Sequence, residues 1–341
     1  MRVRSAPRLS LAIHNEPLPL SAPFRISGYT FDAMPATVVT LSDGVHEGRG
    51  EAAGVYYLDD RPEGMLATLE QLRDTIEAGL TRTELRNLLP AGGARNALDC
   101  ALWELEARRA GVPVWQLAGL PRPHPLLTTF TVGADEPGAM ARAARAYAQA
   151  RAIKLKLTGE LDLDVERVRA VRAARPEVWL AVDANQGYLP ATLSRLLPAL
   201  ADAGVALLEQ PCARGREADL EGIDHAIPIA ADESVLNLAE MDRLPGRFDV
   251  VNIKLDKCGG LTEGLLMAEQ ARRMGLKVMV GNMAGTSLAM APAFILGQQC
   301  DVVDLDGPIF LVSDRSPGVR YEGGMIMCDE IVWGPAAASG E

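Results

Sequence analysis

The chain has 341 residues, 48% of them hydrophobic, and a net charge of −11. That size allows a barrel with a cap, and the acidic balance excludes sequence-independent nucleic-acid binding and attraction to anionic membranes. No apolar run approaches the roughly 18 residues of a membrane span, and the stretch after Arg2 and Arg4 is broken by His14, Asn15 and Glu16, so no secretory signal is expected. Five dispersed cysteines without a Cys-x-x-Cys pair read as reduced thiols in a cytoplasmic protein.

Residues 1–57 alternate apolar and polar in short pieces. Strands are predicted over 9–13, 36–41 and 48–53, with Ser42-Asp43-Gly44 as a hairpin turn. The proline-rich stretch 17–23, followed by 24–29, reads as a loop that cannot be a central strand. Residues 62–119 turn helical. Pro62-Glu63 suits a first helical turn, 94–110 is amphipathic, and Gly111-Val112-Pro113 stops it. Residues 1–120 are therefore predicted to form an α+β cap.

From 126 onward the pattern changes. Apolar runs at 126–132, 152–157, 178–183, 205–209, 227–232, 250–254, 277–281 and 301–305 read as buried parallel strands, most of them ending abruptly in polar residues. Helices are predicted over 137–151, 162–175, 190–203, 238–244 and 261–274. Successive polar strand ends at 156, 183, 209, 232 and 254 fall 22 to 27 residues apart, the length of one strand-helix unit. The prediction is an α/β fold, a (β/α) TIM-type barrel over 121–320, with residues 321–341 returning to the cap. Catalytic groups in such barrels gather at the strand C-terminal ends.

Asp183, Glu209 and Asp232 end three successive strands. Each alone suits a helix cap or a loop. Together at one mouth they would repel unless a cation sits between them, and hard oxygen ligands with open positions suit Mg²⁺. Lys154 and Lys156 are i and i+2 on one strand and share a face. Lys254 ends the sixth strand, across the mouth from the second. A lysine on each side of a metal is what a two-base proton transfer next to a carboxylate needs, and a neighbouring cation such as Lys154 lowers the pKa of Lys156. A solvated strand end is the other reading of Lys-x-Lys. Lys257 is assigned to the loop or to a structural role.

Asp304 and Asp306 share a face in the same way. They suit a substrate ammonium or a capping pair before Gly307-Pro308. The loop after the seventh strand, Gly281-Asn282-Met283-Ala284-Gly285-Thr286-Ser287, lets backbone approach a ligand. Asn282, Met283 and, at the end of the first strand, Thr131 are substrate-contact candidates. The four histidines end no barrel strand. Gly-x-Ser-x-Gly, Walker and Gly-x-Gly-x-x-Gly patterns are missing, so triad hydrolase and nucleotide chemistry lack support.

Lys154-x-Lys156, Asp183-Ala184-Asn185, Glu209-Gln210-Pro211, Asp232-Glu233-Ser234 and Asn252-Ile253-Lys254-Leu255-Asp256-Lys257-Cys258-Gly259-Gly260 together resemble the enolase superfamily, in its muconate-lactonizing-enzyme subgroup. Asp304-Leu305-Asp306-Gly307-Pro308 resembles the Asp-x-Asp motif of the dipeptide epimerases. The resemblance implies an isomerase that inverts the α-carbon of a dipeptide's C-terminal residue through an enediolate. Lys156 and Lys254 would be the bases and Lys154 would tune Lys156. Asp183, Glu209 and Asp232 would hold Mg²⁺, and Asp304 and Asp306 would grip the substrate ammonium. It leaves cycloisomerisation of muconate, dehydration to o-succinylbenzoate and N-acylamino acid racemisation as alternatives, beside a metal-binding scaffold without catalysis. Many barrels of this kind associate into homo-oligomers. In the Ala-Glu epimerases, the loop after the Pro-Phe that matches Pro23-Phe24 carries an arginine for the glutamate side chain. Here that position is Tyr29, with Arg25 nearby, which leaves an aromatic or apolar dipeptide as open as Ala-Glu.

Overall fold

A computed structural model describes residues 8–26 and 29–335, without the side chains of residues 24–26 and 29. The contacts expected of Arg25 and Tyr29 lie outside these described residues. The chain opens with β1 (Ser10–Glu16), β2 (Pro19–Ile26), β3 (Tyr29–Ala33), β4 (Ala36–Ser42) and β5 (Glu47–Ala52). β1, β4 and β5 form an antiparallel sheet in that order, whereas β2 and β3 pair with each other. The proline-rich stretch read as a loop is therefore a strand. It is one half of a two-stranded ribbon whose register slips between Pro19 and Phe24. A proline costs a ladder bond only where its missing N–H would face a partner, and Pro19 takes part through its carbonyl, which accepts the Val312 N–H (2.9 Å).

The helices α1 (Pro62–Gln71), α2 (Arg73–Glu77), α3 (Arg82–Leu88), α4 (Gly93–Ala110) and α5 (Val114–Leu117) follow. Pro62 opens α1, Thr81 and Glu84 form a capping box on α3, and Gly111 closes α4 at φ 64°. α4 lies directly on β5. A Cβ on Gly50 would stand 1.9 Å from the Ala97 carbonyl oxygen, so only glycine lets helix and strand backbones meet there. Val39, Leu41, Leu69, Leu98 and Leu105 fill the core between them.

After the short β6 (Leu126–Leu127), eight parallel strands lie side by side in chain order. They are β7 (Thr129–Val132), β8 (Ala152–Lys156), β9 (Trp179–Asp183), β10 (Leu207–Glu209), β11 (Ile229–Ala231), β12 (Val250–Lys254), β13 (Lys277–Gly281) and β14 (Val302–Val303). The helices packed around them are α6 (Pro137–Ala146), α7 (Leu161–Ala174), α8 (Pro190–Asp202), α9 (Leu255–Cys258), α10 (Leu261–Arg273) and α11 (Ser287–Gly297). The helix expected over 238–244 is a 3₁₀ turn, Leu238–Arg243. The seam between last and first strands is bridged by side chains: Leu305 N–H donates to Thr128 Oγ1 (2.9 Å) and Thr131 N–H to Asp306 Oδ2 (2.6 Å). At the chain's end, β15 (Arg320–Glu322) and β16 (Met325–Met327) extend β6 into a three-stranded sheet. Beyond them Trp333 Nε1 donates to the Arg49 carbonyl on the cap (3.0 Å).

The barrel interior is layered by the period-two rule of strands. Ala181, Leu207, Ala230, Val250 and Met279 form an apolar plug. Two residues further along the same strands stand Asp183, Glu209, Asp232, Asn252 and Gly281. The change from apolar to polar along each strand is thus a floor beneath a mouth.

The cap is pinned to this mouth by buried and half-buried polar contacts. Asp99 Oδ1 accepts from Thr262 Oγ1 (2.6 Å), Trp103 Nε1 donates to the same hydroxyl (2.9 Å), and Gly54 N–H donates to Asp256 Oδ1 (2.9 Å). Burial pushes the Asp256 carboxyl up to about 7 despite its backbone donors. The folded state therefore keeps this proton to higher pH than the unfolded chain. Stability falls as pH rises from the ordinary carboxylate range through about 7, and the loss is complete above it. Asp256→Asn, which keeps an acceptor and removes the charge, should melt higher than the parent at pH 8, with the gain shrinking toward pH 5. A thermal scan showing no gain at pH 8 would contradict this.

Candidate active site

The polar ends of the strands converge on one cavity. Lys154, Lys156, Asp232, Lys254, Asp304 and Asp306 line its floor, with Thr131, Asn282 and Met283 around them. The cap supplies Leu20, Phe31, Met34, Tyr56 and Tyr57 as its roof. Phe31 and Tyr56 meet edge to face at 5.2 Å, so the β2–β3 ribbon and the loop after β5 form one aromatic wall. Among the described residues, no histidine lines the cavity.

Asp183, Glu209 and Asp232 each offer a ligand atom within 4.8 Å of the others, and all three are buried. This all-oxygen set fits a hard divalent cation. The charge balance agrees. Burial and the neighbouring Asp183 push Glu209 up to about 7, the mark of carboxylates crowded without enough positive charge. Asp232 moves the other way. Burial would raise it, but Lys254 and Lys257 outweigh that and hold it well below the usual carboxylate range.

The lysines pair with the same acids. Lys156 Nζ donates to Asp183 Oδ2 (2.5 Å) and Lys254 Nζ to Asp232 Oδ2 (2.7 Å). β8 and β12 are separated by three strands, so these two ammoniums face each other across the mouth. Gly281 keeps the space beside Lys254 open, since a Cβ there would stand 3.1 Å from Lys254 Cε. Lys154 is held between Asp304 Oδ2 and Glu209 Oε2. Burial works against its charge, but Asp304, Glu209 and Asp183 prevail and raise its pKa. Burial of Lys254 is likewise outweighed by Asp232 and Glu209.

Asp304 and Asp306 are not two free carboxylates. Asp304 carries Lys154 and Thr129 Oγ1, while Asp306 Oδ2 accepts the Thr131 N–H. Burial and Asp304 push Asp306 up to about 6. Asn282 Nδ2 donates to the Asp304 carbonyl (2.7 Å) and so fixes the loop after β13 against this pair.

Several residues of the site escaped the sequence reading. Lys257, assigned there to the loop or to structure, turns back on α9 and donates to Asp232 Oδ1 (2.5 Å) and to the Asp232 carbonyl (2.6 Å). Its spacing of three from Lys254 was a usable signal, because one helical turn after a strand end points back at the mouth. Glu233, buried beside Asp232, is pushed up to about 8 by burial and by the acids around it. Tyr56-Tyr57, two aromatics following Gly54 in a cap loop, were legible as a pair but not as a wall.

Comparisons with known proteins agree with this architecture. Residues 8–119 match the family model of the mandelate racemase / muconate lactonizing enzyme N-terminal domain, and residues 139–325 that of the enolase C-terminal domain-like family. The chain is 39% identical over 315 residues to an L-Ala-D/L-Glu epimerase of Escherichia coli (strain K12), covering 92% of this chain and 98% of that one. It is 40% identical over 255 residues to an N-acetyl-D-glutamate racemase of a Pseudoalteromonas species, covering 74% and 80%. The crystal structure of a dipeptide epimerase from Enterococcus faecalis V583, complexed with Mg and L-Leu-L-Tyr, superposes with a TM-score of 0.87 at 27% identity, over 94% of this chain and 96% of that one.

Proposed function

This chain belongs to the enolase superfamily, and on that premise we propose that it is a Mg²⁺-dependent dipeptide epimerase acting on the α-carbon of the C-terminal residue. The observation that carries the reading is the pair Lys156 and Lys254, each bonded to a different acid of one buried carboxylate triad and facing the other across a single mouth. In this reading residues 1–120 act as the cap and the barrel carries the chemistry.

A substrate α-carbon held between the two lysines has one base on each face. One lysine, neutral at the outset, takes the α-proton on its Nζ as the C–H bond breaks and the electron pair moves toward the carboxylate. The other, an ammonium, returns a proton to the opposite face. Held by Asp183, Glu209 and Asp232, Mg²⁺ would offset two of their three negative charges and would supply electrostatic stabilisation of the charge that grows on the substrate carboxylate. Lys154, kept charged by Asp304 and Glu209, is a fixed cation beside Lys156 on the same strand face. The aromatic wall of Phe31, Tyr56 and Tyr57 excludes water from the mouth and receives the substrate's side chains.

A dipeptide is chemically an N-acylated amino acid whose acyl group carries an ammonium. Asp304 and Asp306 decide whether that ammonium is required. Their engagement by Lys154, Thr129 and Thr131 favours a second reading, racemisation of a simple N-acylamino acid, because the pair is already partly satisfied. Purified protein with Mg²⁺ should be incubated in D₂O with a library of L,L-dipeptides, their N-acetylated forms and N-acetylated amino acids. A one-dalton gain confined to free-amine dipeptides supports the epimerase. Equal or faster exchange of N-acetylated amino acids would overturn it in favour of the racemase.

A further inference from the structure

Three buried acceptors beside the triad have no hydrogen-bond partner among the described residues: Asn252 Oδ1, whose amide is held by Glu209, and the neighbouring pair Glu233 Oε2 and Asn185 Oδ1. Glu233 is 3% exposed and lines the cavity next to Asp232. Asn185 Nδ2 lies 3.2 Å from Asp183 Oδ2 and 3.5 Å from Glu233 Oε1, so its amide bridges a triad acid to Glu233. Its backbone is left-handed, at φ 40°, and its N–H donates to Asp183 Oδ1 (2.9 Å). A non-glycine residue in that conformation costs free energy and persists only where its surroundings over-determine it. Buried polar atoms are rarely left without partners. Glu233 and Asn185 therefore present two neighbouring acceptors at the edge of the triad that await donors.

Mg²⁺ takes an octahedral set of oxygens and gives up water reluctantly. Three acids binding through one oxygen each fill half of that set. A substrate carboxylate would take part of the remaining places, and water would keep the rest. A water held through its oxygen has two hydrogens to donate, and Glu233 Oε2 and Asn185 Oδ1 belong to neighbouring side chains joined through the Asn185 amide. We propose that Glu233 and Asn185 are positioning residues that accept hydrogen bonds from water retained on the cation bound by Asp183, Glu209 and Asp232. Such a water marks which places on the cation are left for the substrate carboxylate, and so orients the α-carbon between the lysines. The inference rests on the triad being the cation site proposed above.

The test uses the full-length protein with Mn²⁺ in place of Mg²⁺ and without substrate. Affinity is read from the EPR signal of free Mn²⁺, and coordinated water from the exchangeable-proton ENDOR lines lost in D₂O. Glu233→Ala should weaken Mn²⁺ binding by roughly 10–100-fold, the usual effect of removing a group that supports a metal site from outside, and should alter the exchangeable-proton couplings. Glu233→Gln keeps a carbonyl acceptor and should lose less affinity while still altering the couplings. Asn185→Ala should behave as Glu233→Ala. Wild-type couplings in all three variants would overturn the proposal even if affinity fell, because packing alone moves affinity without touching the water. If the unaltered protein bound no Mn²⁺, the triad reading would fall first and this inference with it.

Discussion

Lys254→Ala should lower epimerisation by about 1,000-fold or more, within the range removed with a general acid or base that works at the reacting atom. One α-proton face should lose exchange with solvent while the other keeps it. Lys156→Ala should give the mirror result, with the surviving face exchanged. The reasoning is geometric. Each lysine serves one face of the α-carbon, and inversion needs both in the same turnover, whereas washout of a proton needs one. The variants should fold, because each acid left behind keeps a donor. Asp232 retains Lys257 at 2.5 Å, and Asp183 retains the Asn185 N–H at 2.9 Å. Separate L- and D-epimers of a reactive dipeptide, followed by mass in D₂O and by chiral chromatography, read both quantities at once. Retention of near-normal epimerisation in either variant would remove the two-base assignment. Loss of exchange from both epimers in Lys254→Ala would instead place that lysine in binding.

Much of this site was legible because a parallel barrel writes its mouth into the sequence. Ala181 then Asp183, Leu207 then Glu209, and Ala230 then Asp232 are each an inward residue of the floor followed by an inward residue of the mouth. Period two and burial on both strand faces leave few other ways to place them. The β2–β3 ribbon was not legible, since its prolines argue against a central strand and say nothing about a two-stranded edge. The partner of Asp304 was also out of reach. Lys154 and Asp304 are 150 residues apart and meet only because the barrel brings its last strand round to its first two. Strand-end polarity predicts that residues share a mouth, but it does not predict which acid each lysine takes. That choice depends on stagger between strands, which local pattern does not carry.

That choice matters most at Asp232, where one carboxylate serves two buried ammoniums, Lys254 at Oδ2 and Lys257 at Oδ1. Asp232→Asn should therefore cost stability as well as metal binding. Removing one partner of a buried ion pair typically costs about 3–5 kcal/mol, because the charge left behind is uncompensated. The sign with pH follows from the shifts. Asp232 is held below its ordinary value, so its contribution is present above the unfolded carboxylate pKa and is lost only in acid. Lys254 is held above its ordinary value, so the stability it gains from Asp232 is present below the unfolded lysine pKa and is lost as pH rises through the folded one. The melting-temperature deficit of Asp232→Asn should thus be large at pH 7 and smaller near pH 10, where Lys254 without its carboxylate partner can lose its proton.

Glu209→Gln provides the contrast. Burial and Asp183 already push Glu209 up to about 7, so its charge is a burden in the metal-free protein at pH 8. Its Oε1 accepts from Asn252 Nδ2 (2.7 Å), a bond that a glutamine carbonyl can keep. Without metal this variant should melt at or above the parent temperature at pH 8. Mg²⁺ should raise the parent's melting temperature by mass action and should do so far less for either variant. Opposite effects without metal, joined to the same loss of the Mg²⁺ response, are what a shared cation site demands of two acids with opposite surroundings. A full Mg²⁺ shift in either variant would take that acid out of the ligand set.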